Sequence, residues 1–430
     1  MKVIALVLLL FAKAAHAESW DNEAGIYALA PLPDAATEAL RLDTDEREDQ
    51  QPLGRMVRAG DQLTLDLPDL PDDVTADLMI GFRPLWAASQ DQQADRLGLG
   101  RTTVTALQDG PIFLRLTGGG PDVAVRLTGG TPIPLYVDGA MTAADWQAEL
   151  TRHKGAAFVQ LIGPRVLITL TRDAYGRDPV PDPGASLGMI DQVLALEDDL
   201  SGLDNSNPLN SPTPLRQHFI VDFLASAADQ QQFYMYATDG FIGLLPDNSG
   251  DLTNPAILPQ AWGIWHELGH IHQQNSWTWG SATEITVNIW SLYVQEAFGN
   301  PNRLSETDGT DKPVLAQARD YIGAGGGAPD FLIDDSDTLF VRLTMFHQLR
   351  LAYGWDLFRQ MNQATRAAPL PADATDQDKI DYFVREICRL TGHDLRGFFD
   401  RWGLMASDKA LSDISAMNLP APKTDPAQLF

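Results

Sequence analysis

A single cysteine, Cys388, is all that the 430 residues contain. An intramolecular disulfide is therefore excluded, as is any metal centre built from several thiolates. Basic residues are scarce as well: 31 Lys and Arg stand against 58 Asp and Glu, a formal charge of −27 at pH 7. A surface this acidic repels polyphosphates and anionic lipid, which argues against nucleic acid and charged membranes as partners. Nor would net charge gather a sialylated or sulfated glycan, so recognition of one would have to be local. No apolar run approaches the ~18 residues expected of a membrane-spanning helix. Histidine is rare too, with 8 in the chain, so two of them close together carry weight.

Residues 1–17 read as a secretory signal peptide. Lys2 supplies a positive start, an apolar run follows to Phe11, and Ala15-His16-Ala17 forms an A-x-A cleavage site. The expected mature chain begins at Glu18, carries a net charge of −29, and is secreted or periplasmic. Cys388 sits in a helical pattern and is expected to be a buried apolar side chain.

The expected fold is α+β and multidomain: an N-terminal β-sandwich, then an α/β domain with a helical C-terminal subdomain. Residues 18–51 look irregular apart from a short helix near 35–41. Between 52 and 137, short runs such as D-Q-L-T-L-D-L and V-A-V-R-L-T-G-G alternate between Gly, Pro and Asp turns, the pattern of a sandwich. The expected domains are 18–140, 141–305 and 306–430. A capped helix is expected over 142–153, strands at 157–170, 216–224 and 233–237, and helices at 337–353, 355–363, 376–390 and 395–402. Residues 247–254 read as a loop, 308–329 as a long Gly-rich connection, and the last twenty-five residues as an extended tail.

Residues 265–289 organise the rest: W-H-E-L-G-H-I-H-Q-Q-N-S-W-T-W-G-S-A-T-E-I-T-V-N-I. His266, Glu267 and His270 form an H-E-x-x-H motif. On a helix turning about 100° per residue, positions four apart lie roughly 40° from eclipsed, so both imidazoles reach one point. That suits two ligands of a Zn²⁺ ion at about 2.0–2.1 Å, with the intervening Glu placed to deprotonate water. With 8 His and 12 Glu available, chance would produce the motif only about 0.004 times.

A hydrolytic zinc centre needs three protein ligands and an open position. The extension H-E-x-x-H-x-x-G-x-x-H fails, because position 273 is Gln and position 276 is Ser. A Glu on a following helix is the other common solution, and Glu284 and Glu296 are both in range. Ile285, Ile289 and Leu292 recur at helical spacing beside Glu284, whereas Glu296 stands where that helix is ending. Glu284 is the expected third ligand. Asn288, one turn further on, shares its face and could hydrogen-bond a ligand. His272 lies about 200° around from His270, which suits packing or hydrogen bonding better than coordination.

Two patterns are decoys. G-A-S-L-G at 184–188 matches a serine-hydrolase elbow, but prolines precede it where a buried strand is required. Ser186 is expected instead as the N-cap of a helix over 186–203. The two R-L-T-G-G runs precede no helix and therefore no phosphate loop.

W-H-E-L-G-H-I-H-Q followed by E-x-T-x-N-I resembles the M60-like, enhancin-type zinc metallopeptidases, a gluzincin group. Residues 54–65, 346–358 (with Y-G-W-D-L-F) and 391–404 (T-G-H-D-L-R-G-F-F-D-R-W-G-L) extend the resemblance over most of the chain. It implies cleavage of mucin-like and other glycoproteins. The residues themselves imply only zinc-dependent hydrolysis, for which peptide hydrolysis is the working hypothesis, with Zn²⁺ on His266, His270 and Glu284 and with Glu267 as general base. Tyr234, Tyr236, His347 and Tyr353 are candidate oxyanion donors by residue type. Trp277 and Trp279 could stack on sugar or pack on the core. The alternatives are a noncatalytic carbohydrate-binding or adhesion protein, and a zinc peptidase acting on cell-wall or non-glycosylated peptides.

Overall fold

Alternating apolar residues build the first of two units, which takes in described residues 18–33, 49–82 and 91–133. The computed structural model describes residues 18–87, 90–177, 179–308, 310–323, 329–333 and 335–430. The signal-peptide reading of 1–17 and most of the G-A-G-G-G run fall outside them. The strands are β1 (Ser19–Asp21), β2 (Ile26–Leu29), β3 (Gln50–Val57), β4 (Gln62–Leu67), β5 (Thr75–Ile80), β6 (Gln93–Leu97), β7 (Gly100–Thr105), β8 (Gly110–Thr117), β9 (Val123–Thr128) and β10 (Thr131–Pro132). They form two five-stranded sheets, ordered β1-β2-β9-β4-β7 and β10-β3-β8-β5-β6. Every pairing is antiparallel. Leu63, Leu65 and Leu67 alternate inward along β4 and share one cluster with Ile112, Leu114 and Leu116 of the other sheet. At ~1.5–3 kcal/mol for each fully buried aliphatic side chain, that cluster supports the unit without a disulfide. β1 and β2 correct the expectation of an irregular stretch at 18–51. Three- and four-residue strands are too short to display a period.

The second unit takes in described residues 34–48, 83–87, 90 and 134–430. Its strands are β11 (Leu135–Val137), β12 (Phe158–Ile162), β13 (Val166–Thr171), β14 (Gln217–Val221), β15 (Met235–Thr238) and β16 (Phe241–Leu244). They make one mixed sheet ordered β11-β12-β13-β14-β16-β15. β12, β14 and β16 are buried at every residue, as strands covered on both faces are. β15 runs antiparallel to β16 at the edge. The helices Pro183–Leu200 and Trp262–His270 pack on this sheet through Leu187, Ile190, Ile264 and Leu268.

Helices Leu339–Tyr353, Asp356–Ala367, Asp376–Thr391 and Arg396–Trp402 form the helical C-terminal region. Their core includes Trp277 and Trp279, at 0% and 1% exposure. The Trp277 ring lies 6.0 Å from Trp290 and 5.8 Å from Phe383, nearly parallel to both. Both indoles are therefore packing residues, and the sugar-stacking alternative is discarded for them. Burying two rings of 150–250 Å² turns the link between the motif helix and the next helix inward.

Several local expectations are corrected. Ser186 lies inside the helix rather than at its head: Asp182 caps it, accepting from the Gly184 N–H. The buried Ser186 hydroxyl donates to the Thr253 carbonyl. Residues 247–254 hold a short helix, Ser249–Thr253. A helix, Val314–Gly323, occupies the expected Gly-rich connection. The expected tail contains the helix Asp408–Ala416 and buries Ile414 and Ala427 in the helical core. Among the described residues no helix is long and apolar enough to cross a membrane.

Trp277→Ala should cost ~3–5 kcal/mol, as large-to-small changes in a packed core do. Urea denaturation followed by circular dichroism measures it; a change below about 1 kcal/mol would mean that the stack carries little load.

Candidate metal centre

The motif helix Trp262–His270 faces the segments Thr283–Thr286 and Asn288–Ala297, joined through Val287, whose backbone is itself helical at φ −51° and ψ −40°. The chain is thus helical through the Glu284 stretch, as the sequence pattern suggests. Close approach of the two depends on Gly269: a Cβ there would stand 2.9 Å from the Val287 carbonyl oxygen and 3.0 Å from its Cγ2.

Across this contact three side chains converge. His266 Nε2 lies 3.0 Å from Glu284 Oε2, and His270 Nε2 lies 3.2 Å from His266 Nε2. His270 Nε2 to Glu284 Oε1 is 3.7 Å. Tetrahedral ligands at 2.0–2.1 Å from an ion stand about 3.3 Å apart, so the donor set has the spacing and chemistry of a zinc site. All three ligand atoms lie within 4.8 Å of one another. Asn288 Oδ1 accepts from His266 Nδ1 at 2.9 Å and from Trp262 Nε1 at 3.1 Å. Glu296 is elsewhere, paired with Arg350 and accepting from Trp355 Nε1 at 3.2 Å. His272 is buried and points away, its ring nitrogens 3.1 Å from Glu197 and 3.0 Å from Asp198 on the helix Pro183–Leu200.

The electrostatics favour one positive charge among these groups. Burial opposes charge on His266, but the Glu284 hydrogen bond and the Glu267 charge outweigh it and raise its pKa above 6.5. The same hydrogen bond holds Glu284 below the usual 4.5. Burial, with help from the His266 charge, pulls His270 down to about 4. Burial pushes Glu267 up to about 7, although His266 and the Ala237 N–H pull the other way.

A cleft of about 700 Å³ opens over these residues. One wall is the edge strand β15 with Tyr234; others come from Trp86, Asn275, Asp376 and Lys379. The Ala237 N–H, which favours charge on Glu267, belongs to that strand. Of the four oxyanion candidates, Tyr234 and Tyr236 line the cleft. Their hydroxyls are engaged, Tyr234 with Asp251 and Tyr236 donating to Asp222 at 3.0 Å. His347 and Tyr353 lie on the helix Leu339–Tyr353 and are not among the lining residues. Trp86, Ala237, Asp376 and Lys379 come from segments far apart in the chain. No local pattern marks them.

Residues 129–403 match the family described as peptidase M60, enhancin and enhancin-like. The chain belongs to that family. It is the metallopeptidase family that the motifs resemble. The TRPM8 channel-associated factor homolog of Xenopus laevis is 24% identical over 313 residues, 72% of this chain and 32% of that protein. This M60 chain thus spans about a third of that curated relative's length. The structure of a functionally unknown conserved protein from Bacillus anthracis matches with a TM-score of 0.82 at 26% identity, covering 94% of this chain and 80% of that one. The M60 catalytic domain of Clostridium perfringens ZmpC, solved in complex with the sialyl T antigen, matches at 0.74 and 20% identity, covering 94% and 81%. The mixed α/β architecture with its helical C-terminal region is that of M60 catalytic modules.

Two outcomes are expected of the M60 site. Gly269→Ala should destabilise by ~1–3 kcal/mol despite the better helix propensity of Ala, because the added methyl meets backbone; urea midpoints test this. Zinc affinity should fall as pH drops through the raised His266 pKa, since metal must displace that proton while His270 stays neutral down to about 4. Calorimetry in buffers of different ionisation heat should find net proton release near pH 6.5. Binding with no proton release there would contradict it.

Proposed function

We propose that this M60 chain is a secreted zinc-dependent endopeptidase that hydrolyses peptide bonds in mucin-like or other glycoproteins. In this reading an N-terminal β-sandwich precedes a zincin-type catalytic domain of the gluzincin kind. His266, His270 and Glu284 hold the ion, Asn288 orients His266, and Glu267 is the general base. One observation carries it: three lone-pair donors stand 3.0–3.7 Å apart beside a buried glutamate. Zinc, when bound, polarises the scissile carbonyl and acidifies water.

The chain's own residues do the rest. β15 offers its free edge to an extended peptide by main-chain pairing. The Ala237 N–H on that strand favours the charged form of Glu267. Glu267, buried beside the three proposed ligands, is placed to take a proton from water and pass it to the leaving amine. The glycoprotein preference is supported by family membership and by the sialyl T antigen bound to the ZmpC domain.

Glu267→Ala should retain zinc and lose turnover by ~10²–10⁴-fold, whereas His270→Ala should lose the metal. Parent-level cleavage by purified Glu267→Ala protein would remove the base assignment. Digesting a mucin, its deglycosylated form and casein side by side tests the substrate. Equal cleavage of all three would leave a zinc peptidase without glycan preference.

A further inference from the structure

The outer nitrogens of both imidazoles meet side-chain amides, and the amides' other partners decide where each proton lies. Gln273 Nε2 donates to the Thr283 carbonyl oxygen at 2.7 Å and to Thr286 Oγ1 at 2.6 Å. A carbonyl oxygen only accepts, so the NH₂ end of this amide must point that way. Oε1 then faces His270 Nδ1 at 2.7 Å, and that nitrogen must carry the hydrogen. The lone pair of His270 is left on Nε2, in the cleft. Asn288 acts likewise on His266: its Nδ2 donates to the Glu284 backbone carbonyl at 2.8 Å, leaving Oδ1 for His266 Nδ1.

The two amides differ in what they join. Asn288 follows Glu284 on the same segment. Gln273 comes from the motif side, three residues past His270, and crosses to Thr283 and Thr286, which flank Glu284. It is 7% exposed, and Thr286 is fully buried. Thr286 in turn donates its hydroxyl to the Ala282 carbonyl at 3.1 Å. One side chain therefore fixes the His270 tautomer and grips the turn that carries the proposed third ligand.

The geometry points to Gln273 as a positioning residue, a strut that sets His270 Nε2 and the Glu284 carboxylate in one mutual placement. It rests on the proposed reading of His266, His270 and Glu284 as metal ligands. A neutral amide does this without adding negative charge, so Glu284 remains the one anionic ligand. A side chain that merely tied off the end of the motif helix would affect folding and leave metal affinity alone.

The test measures zinc affinity by chelator competition on the full chain, with the cobalt(II) absorption spectrum and the thermal midpoint of the metal-free protein alongside. Gln273→Met keeps the volume and removes the hydrogen bonds; it should weaken zinc by roughly 10–100-fold and change the cobalt spectrum. Thr286→Val removes the far acceptor and nearly keeps the shape; it should weaken zinc less. The double variant should bind within about twofold of Gln273→Met, because both changes cut one linkage. Parent-like zinc affinity and cobalt spectrum in Gln273→Met, while His270→Ala abolishes binding, would overturn the strut and leave the ligand reading standing. Parent-like binding in His270→Ala would overturn the ligand reading, and the strut with it.

Discussion

Three lone pairs held within 3.0–3.7 Å of one another repel unless something positive sits among them. The rest of the second unit serves that constraint. Glu284 favours positive charge on His266, while burial and the His266 charge disfavour it on His270, so the two imidazoles shift in opposite directions from one ordinary value. In the proposed reading a divalent ion would serve all three donors together. The cost of keeping such donors close is borne by directional hydrogen bonds behind them and by packing around them.

That packing is unusually aromatic. Trp277 lies between Trp290 and Phe383, which anchors the link between the ligand-bearing segments to the helical core. Trp265 and Leu268 anchor the motif helix to the sheet from its other side. His272 adds a polar anchor, its ring held by Glu197 and Asp198. Buried ion pairs contribute modestly to stability, and breaking one is expensive, so this contact resists rotation of the helix end. With one cysteine in the chain, immobility at the site comes from packing and hydrogen bonds rather than covalent links.

Legibility in the sequence followed the range of the forces involved. The H-E-x-x-H spacing is a property of a single helix, so the convergence of His266 and His270 could be read directly. The alternation in D-Q-L-T-L-D-L likewise announced a half-buried strand. Where the deciding partner was distant, local patterns misled. Ser186 looked like a cap because serine favours caps, yet its hydroxyl goes to Thr253, and Asp182 does the capping. Residues 406–430 looked like a tail because the apolar residues that dock it, Ile414 and Ala427, are sparse and widely spaced. Trp277 and Trp279 could be read two ways, because a sequence carries no measure of burial.

The sequence by itself determined the pair of imidazoles, the glutamate between them, the acidic surface and the alternating strands. Each of these depends on residue type and spacing along one element. The helical spacing favoured Glu284 over Glu296; the tertiary structure brings the Glu284 carboxylate to the imidazoles and pairs Glu296 with Arg350. It also decided that Gln273 reaches across to Thr283 and that the edge strand β15 lines the cleft beside Glu267. The reason is physical. A helix repeats every 3.6 residues, so spacing along one helix is readable, whereas contacts between elements depend on how far apart their backbones pack. Here that distance is set by the missing side chain of Gly269 against Val287.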